Sequence, residues 1–166
     1  MRYPRTDGAG ASRLPTGLMQ LAKPYGSTDP AWLALRLRLW PDASAPEHLS
    51  AMADSIARGH YVRMAMTDSD GAVGFVEASK RVDYVNGTSS SPVAFLEGLY
   101  VAPDFRRRGI ARALVQSVVE WARHEGCREL ASDSLLDNPG AHAAHRALGF
   151  EETERVVYFR QALQDA

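Results

Sequence analysis

Residues Arg106-Arg107-Arg108-Gly109-Ile110-Ala111 join an apolar run, Phe95-Leu96-Glu97-Gly98-Leu99-Tyr100-Val101, to a long amphipathic segment. The order reads as strand, tight basic turn, helix start. In the segment that follows, Ile110, Leu114, Val118, Trp121 and Ala122 form one stripe, while Arg112, Gln116, Glu120 and Arg123 face outward. A helix that buries one face only must cover a sheet. Successive backbone N–H groups at a helix N-terminus, ringed by Arg side chains, make a site for a pyrophosphate. Gly109 and Ala111 let an anion approach the backbone where a larger side chain would stand in its way. An R-x-x-G-x-A spacing alone describes many solvated basic turns, and its position after a strand gives it weight.

The rest of the chain supplies further elements. Residues 18–22 read as a short strand. Asp29 before Pro30 is a helix start, and the helix carrying Trp32, Leu33, Leu35, Leu37 and Leu39 stops at Trp40, because Pro41 disfavours helical geometry there. Pro46 opens a second helix with Leu49, Met52, Ala53 and Ile56 on one face, closed by Gly59. Residues 61–67 and 73–79 flank Asp68-Ser69-Asp70-Gly71, a hairpin turn. Residues 80–92 form a polar loop, and a third strand runs over 93–101. Residues 129–133 read as another strand, and Asn138-Pro139 opens a helix that finishes at Ala147-Leu148-Gly149-Phe150. Both hairpins and crossovers are needed to connect this order, so the fold class is mixed α+β. Residues 1–17, rich in Gly, Ala, Arg and Pro, read as a flexible N-terminal extension, and 18–166 as one domain.

With 166 residues and 45% hydrophobic content, the chain is long enough for one full core. A net charge of −1 offers no basic field for nucleic acid. No apolar run approaches the ~20 residues of a membrane helix. The N-terminus lacks the apolar core of a signal peptide, and the single cysteine, Cys127, excludes an internal disulfide. A cytoplasmic protein is expected. His142 and His145 have metal-compatible spacing, but nothing accompanies them at zinc-site spacing, so no metal is expected.

Taken in order, the strand 96–101, the Arg/Gly turn, the strand near 130 and the Asn138-Pro139-Gly140-Ala141 helix resemble the GNAT superfamily of acetyl-CoA-dependent N-acetyltransferases over about residues 94–160. Within it the chain is most similar to the aminoglycoside 6′-N-acetyltransferases. That similarity rests on Leu39-Trp40-Pro41, Asp83-Tyr84-Val85-Asn86-Gly87, Phe95-Leu96-Glu97-Gly98, Gly126-Cys127-Arg128-Glu129, Ala131-Ser132-Asp133 and 149–156, Gly-Phe-Glu-Glu-Thr-Glu-Arg-Val. The resemblance implies a central, mostly antiparallel sheet flanked by helices, with a splayed strand pair forming the acetyl-CoA cleft. It implies cofactor contacts from Leu99, Tyr100 and Val101 to pantetheine and from Arg107, Arg108, Gly109, Ile110, Ala111 and Arg112 to the pyrophosphate.

The same resemblance assigns the acceptor to Trp40, Tyr84, Glu97, Asp133, Asn138 and Glu154. A polycationic amine needs carboxylates and an aromatic wall, which this set supplies. Trp40 reads equally well as a core aromatic; the alternatives to a site role are an ordinary loop residue for Tyr84, a helix N-cap for Asn138 and a solvated strand residue for Glu154. Asp133 is the first choice for the base that deprotonates the amine, with Glu97 second. Glu97 stands inside an apolar strand, where an unpaired charge would be costly. Many members carry a Tyr in an Asn-x-x-Ala-x-x-x-Tyr pattern, but here Asn138 and Ala141 are followed by His145. The acid that protonates the thiolate stays open between His145, Tyr158 and solvent. The implied activity is acetyl transfer to the 6′-amine of an aminoglycoside. Another small amine or peptide amine and a non-catalytic acetyl-CoA-binding domain remain alternatives. The family resemblance also implies a homodimer, with C-terminal strands contributing to a shared site.

Overall fold

Asp29 starts the first helix by accepting hydrogen bonds from the backbone N–H of Ala31 (2.9 Å) and Trp32 (3.1 Å), and Pro30 follows where a missing N–H costs nothing. The computed structural model describes residues 19–163. Helix α1 spans Pro30–Leu39 and ends at Trp40, as its Pro41 predicts. Helix α2, Ala45–Ala57, opens on a reciprocal cap between Ser44 and Glu47. Its buried face is His48, Met52 and Ser55; of the expected stripe Met52 is buried and Leu49 packs beside it, while Ala53 and Ile56 are exposed. The buried polar pair has partners in the site described below.

Five strands form one sheet: β1 Gln20–Ala22, β2 Tyr61–Thr67, β3 Gly71–Arg81, β4 Val93–Val101 and β5 Leu130–Ala131. They lie in the order β1-β2-β3-β4-β5, antiparallel except for the last pair. Two expected boundaries move. Strand β3 runs on through Lys80 and Arg81, which pair with Ala94 and Val93, so the polar loop is shorter than expected. Strand β5 covers only Leu130–Ala131, leaving Asp133 beyond its end. Helix α3, Ile110–His124, follows the Arg turn, and α4 is Pro139–Ala147.

The period-two alternation of the strands divides the core in two. Val76, Ala78, Leu96 and Val101 pack with Ile110, Leu114 and Val118 of α3. On the opposite face, Val62, Met64 and Phe75 pack with Trp32 and Leu35 of α1 and Met52 of α2. Glu77 pairs with Gly98 and Ala78 with Leu96, so Glu97 is one extra residue in β4, a bulge. The bulge shifts the alternation: Leu96 and Leu99 both join the α3 core, while Gly98 lies under Trp40 and Glu97 reaches Ser79.

Residues 150–163 carry neither helix nor strand, so the expected C-terminal strand is not present in the single chain. Thr153 lies against Gly87, and the segment beyond projects Tyr158 and Phe159 into solvent, 82% and 94% exposed. The N-terminal extension assigned to 1–17, and residue 18 of the first strand, lie outside the described residues. No helix among the described residues is long and apolar enough to cross a membrane.

Candidate active site

Strand β5 pairs with β4 at two positions, Ala94 with Leu130 and Phe95 with Ala131, and then leaves the sheet. The Ser132 hydroxyl donates to the Leu96 carbonyl at 3.4 Å where the two strands part. On its other side β4 continues along β3, and the Ala102 N–H donates to the Val73 carbonyl at 2.8 Å. That bond fixes the parity of the ladder. Gly98, Tyr100 and Ala102 direct their peptide groups to β3, whereas Leu99 and Val101 direct theirs to the side β5 has vacated. Arg106 Nε donates to the Val101 carbonyl at 2.9 Å, which leaves the Leu99 groups and the Val101 N–H facing the gap.

The gap leads to the start of α3. Arg107 (φ 61°) and Gly109 (φ 82°) both adopt the left-handed region, so the turn folds its N–H groups into a concave cluster. Gly109 is the N-cap and provides no side chain to claim them, and no acidic residue occupies the first turn. The first intrahelical bond comes from Ala113 to the Gly109 carbonyl, so the N–H groups of Ile110, Ala111 and Arg112 point free of the helix. Arg107, Arg108 and Gly109 are exposed, while the Ile110 side chain is buried in the α3 core. Arg112 donates to the Ala147 carbonyl at 3.2 Å and ties α3 to the end of α4.

On the α1 face of the sheet is a cavity of about 360 Å³ lined by Arg36, Trp40, Ser55, Arg58, His60, Glu77 and Glu97. The Cη2–Cζ2 edge of Trp40 lies against Gly98, and the ring contacts Phe75 edge-on (6.1 Å between centroids) and stacks with His48 (6.4 Å). A buried ion pair joins Arg36 to Glu77, and Trp32 Nε1 donates to the same carboxylate at 2.6 Å. Arg36 Nε donates to His48 Nδ1 at 3.4 Å, so the ring hydrogen sits on Nε2, which donates to the Trp40 carbonyl at 3.0 Å. The Arg36 guanidinium also stands 4.7 Å from the Trp40 ring. Trp40 is thus half-buried and held from three sides.

Glu97 is not an unpaired charge in an apolar strand. Its carboxylate takes a forked contact from Arg81 Nη2 (2.9 and 3.0 Å) and the Ser79 hydroxyl at 2.5 Å. Asp133 is exposed, one residue past the splay. Asn138 caps α4 by accepting from Ala141 N–H at 3.0 Å. Tyr84 is exposed on the loop after β3, and Glu154 follows Thr153, which touches Gly87 of that loop. The cavity therefore gathers Trp40 and Glu97, while Tyr84, Asp133, Asn138 and Glu154 stand outside its lining. Glu129 anchors the same loop: Ser89 N–H and the Ser90 hydroxyl donate to it and hold its carboxyl below the usual range. Burial pushes the Cys127 thiol up, in keeping with a packing role between Ala94 and Ala122.

Of the acids left open, His145 is joined to the splay. Its Nδ1 faces the Ala141 carbonyl at 2.8 Å and its Nε2 the Ser132 hydroxyl at 2.9 Å. Tyr158 stands on the exposed C-terminal segment. Among the described residues no cluster of three or more His, Cys, Asp or Glu could hold a metal ion.

The acetyltransferase (GNAT) family model matches residues 29–150, three quarters of the chain and all of the gap, turn and cavity. The chain belongs to this family. Among GNAT relatives, it is 54% identical over 131 residues to aminoglycoside N(6′)-acetyltransferase type 1 of Acinetobacter baumannii, covering 78% of this chain and 89% of the relative. A crystal structure of aminoglycoside antibiotic 6′-N-acetyltransferase AAC(6′)-Ih from the same organism superimposes with a TM-score of 0.82 at 49% identity, covering 88% of this chain and 99% of that one. AAC(6′)-Iy in complex with the bisubstrate analogue CoA-S-monomethyl-acetylneamine superimposes with a TM-score of 0.78 at 42% identity, covering 88% and 99%. The mixed α+β sheet with its splayed pair is the GNAT fold.

Arg36, His48, Glu77 and Arg81 of this GNAT chain stand in none of the motifs legible in its sequence. A signal existed for Glu77, which interrupts the apolar run Val73 to Ala78 just as Glu97 interrupts its own. Arg36 likewise stands among leucines in α1. Charges at core positions imply partners, but only the fold says which.

Proposed function

We propose that the chain transfers an acetyl group from acetyl-CoA to the 6′-amino group of aminoglycosides, by direct attack of the amine on the thioester in a ternary complex. The observation that carries this reading is two sets of backbone groups without partners among the described residues: the N–H groups at the start of α3, and the Leu99 groups with the Val101 N–H on the free edge of β4, the strand that also carries Glu97 and Gly98 under Trp40. The relatives support both substrates, since they are 6′-N-acetyltransferases and one was captured with a CoA–acetylneamine analogue. An uncapped helix start flanked by Arg side chains fits a diphosphate, and an open strand edge fits the amides of pantetheine.

In this reading the N–H groups of Arg107 to Arg112 hold the diphosphate, and Leu99, Tyr100 and Val101 line the pantetheine. The Leu99 N–H polarises the thioester carbonyl and stabilises the oxyanion that develops on attack. Holding amine and thioester in line removes most of the entropic barrier, worth about 7–11 kcal/mol. Trp40, Tyr84, Glu97, Asp133, Asn138 and Glu154 receive the polycationic acceptor. Asp133 takes the proton from the amine, through water. Glu97 is second because Arg81 and Ser79 already occupy its carboxylate. Residues 18–166 act as one domain, in the cytoplasm, where acetyl-CoA is available. The working form is a homodimer in which each C-terminal segment reaches the partner, a reading supported by its exposed apolar side chains.

The test is thiol release from acetyl-CoA with kanamycin-type drugs, linear polyamines and peptides, followed by NMR of the product. Release that needs a 6′-amine, and is lost with a 6′-hydroxyl analogue, is the expected result. Equal release with peptides favours the alternative acceptor class. Tight acetyl-CoA binding without release for any amine favours the non-catalytic reading.

A further inference from the structure

Strand β3 ends in Arg81, whose guanidinium lies 3.4 Å from the centre of the Phe95 ring and whose Nη2 reaches both carboxylate oxygens of Glu97. The ring fixes the guanidinium plane, and Phe95 is itself held in a cluster with Val85 and Val93. Glu97 is the extra residue of the β4 bulge, and it lines the same cavity as Trp40. Glu97 therefore lines the cavity with one positive charge already against its carboxylate. The Arg81 side chain is 40% exposed and that of Glu97 is 29% exposed. Water reaches the pair, so the guanidinium can part from Glu97 at the cost of its stacking on Phe95 and without leaving a buried bare charge.

We infer that Arg81 is a resident counter-ion and a specificity-determining residue: an acceptor ammonium reaches Glu97 only by displacing the guanidinium. The inference rests on the reading of Glu97 as an acceptor contact. The exchange leaves the charge at Glu97 unchanged, with one cation leaving and another arriving. It therefore yields little net attraction for an amine that has a single charge. A polycation has further ammonium groups for other carboxylates of the site and gains from each of those. Arg81 thus holds back simple amines, and its fork keeps the Glu97 carboxylate oriented in the empty site. A purely structural role for Arg81 makes the opposite prediction, because loss of the fork would then loosen Glu97 and weaken the acceptor.

The sign of the change decides between them. Steady-state kinetics with kanamycin A at saturating acetyl-CoA are measured for wild type, Arg81→Gln, Arg81→Lys, Glu97→Gln and the double variant Arg81→Gln/Glu97→Gln. Arg81→Gln is expected to lower the KM for kanamycin A by about threefold to tenfold, the range of a half-exposed charge pair. Arg81→Lys, which keeps the charge, stays near wild type. Glu97→Gln raises the KM, and in that background Arg81→Gln has no further effect. A KM that rises or stays level in Arg81→Gln, while Glu97→Gln still raises it, overturns the counter-ion role and leaves the acceptor site standing. A KM untouched by Glu97→Gln removes Glu97 from the acceptor site and this inference with it.

Discussion

Gly98 shows how one residue governs the acceptor wall. A Cβ added there would come 2.5 Å from Cη2 and 2.8 Å from Cζ2 of Trp40, with Leu39 at 3.2 Å behind it. The Trp40 ring has little freedom to yield, since Phe75, His48 and Arg36 hold it. Gly98→Ala is expected to cost about 1–3 kcal/mol in overpacking and to raise the acceptor KM about tenfold. The acetyl-CoA Kd, read by calorimetry, stays unchanged; a Kd that moves with KM would mean the strand itself had shifted. Asp133 sits past the splay without the partners that Glu97 has. Asp133→Asn should lower kcat/KM by about 100-fold or more at pH 7, the usual yield of a positioned base, with acetyl-CoA binding intact. Wild-type turnover in that variant removes Asp133 from the chemistry.

The turn into α3 works as an element because its conformation supplies the N–H groups. Gly109 needs φ 82°, which an L side chain adopts at a cost of about 1–2 kcal/mol. Gly109→Ala should therefore weaken acetyl-CoA binding while leaving the acceptor side alone, so the Kd for acetyl-CoA rises and the far-ultraviolet spectrum does not change. An unaltered Kd would show that the turn does not hold the diphosphate. The loop between β3 and β4 depends on pH through Glu129. Hydrogen bonds from Ser90 and Ser89 hold its carboxyl below the ordinary range near ~4.3. A depressed carboxyl stabilises the fold above its unfolded value, and that stability disappears as pH falls through the folded value. Wild type should thus be more stable than Glu129→Gln at pH 7, with the two melting curves converging as the pH drops below about 4. Faster amide exchange over residues 83–91 should accompany the variant at neutral pH. Curves that stay apart in acid would assign the difference to something other than this charge.

At the scale of the whole molecule, two layers of helix enclose one sheet, and the site opens where the last two strands part. The C-terminal segment does not fit that plan alone: Val157, Tyr158 and Phe159 lie in water, and residues 150–163 pair with no strand among the described residues. Phe159→Asp should shift sedimentation equilibrium from dimer toward monomer. A wild-type chain that sediments as a monomer at micromolar concentration would end the dimer proposal. Most of the architecture was legible in the sequence because its causes are local. Pro30 and Pro41 bracket α1, the stripe from Ile110 to Ala122 makes α3, and the Arg/Gly turn marks the helix start. What tertiary structure alone decided was how charges find partners across the sheet. The meeting of Arg36 with Glu77 spans 41 residues, and that of Arg81 with Glu97 spans 16 across the bulge. A bulge reverses which face a side chain takes, and no period in β4 announces it, because the register is set jointly by two strands. The shortness of β5 has the same origin: its sequence reads as strand over residues 129–133, and only its neighbour determines where pairing stops.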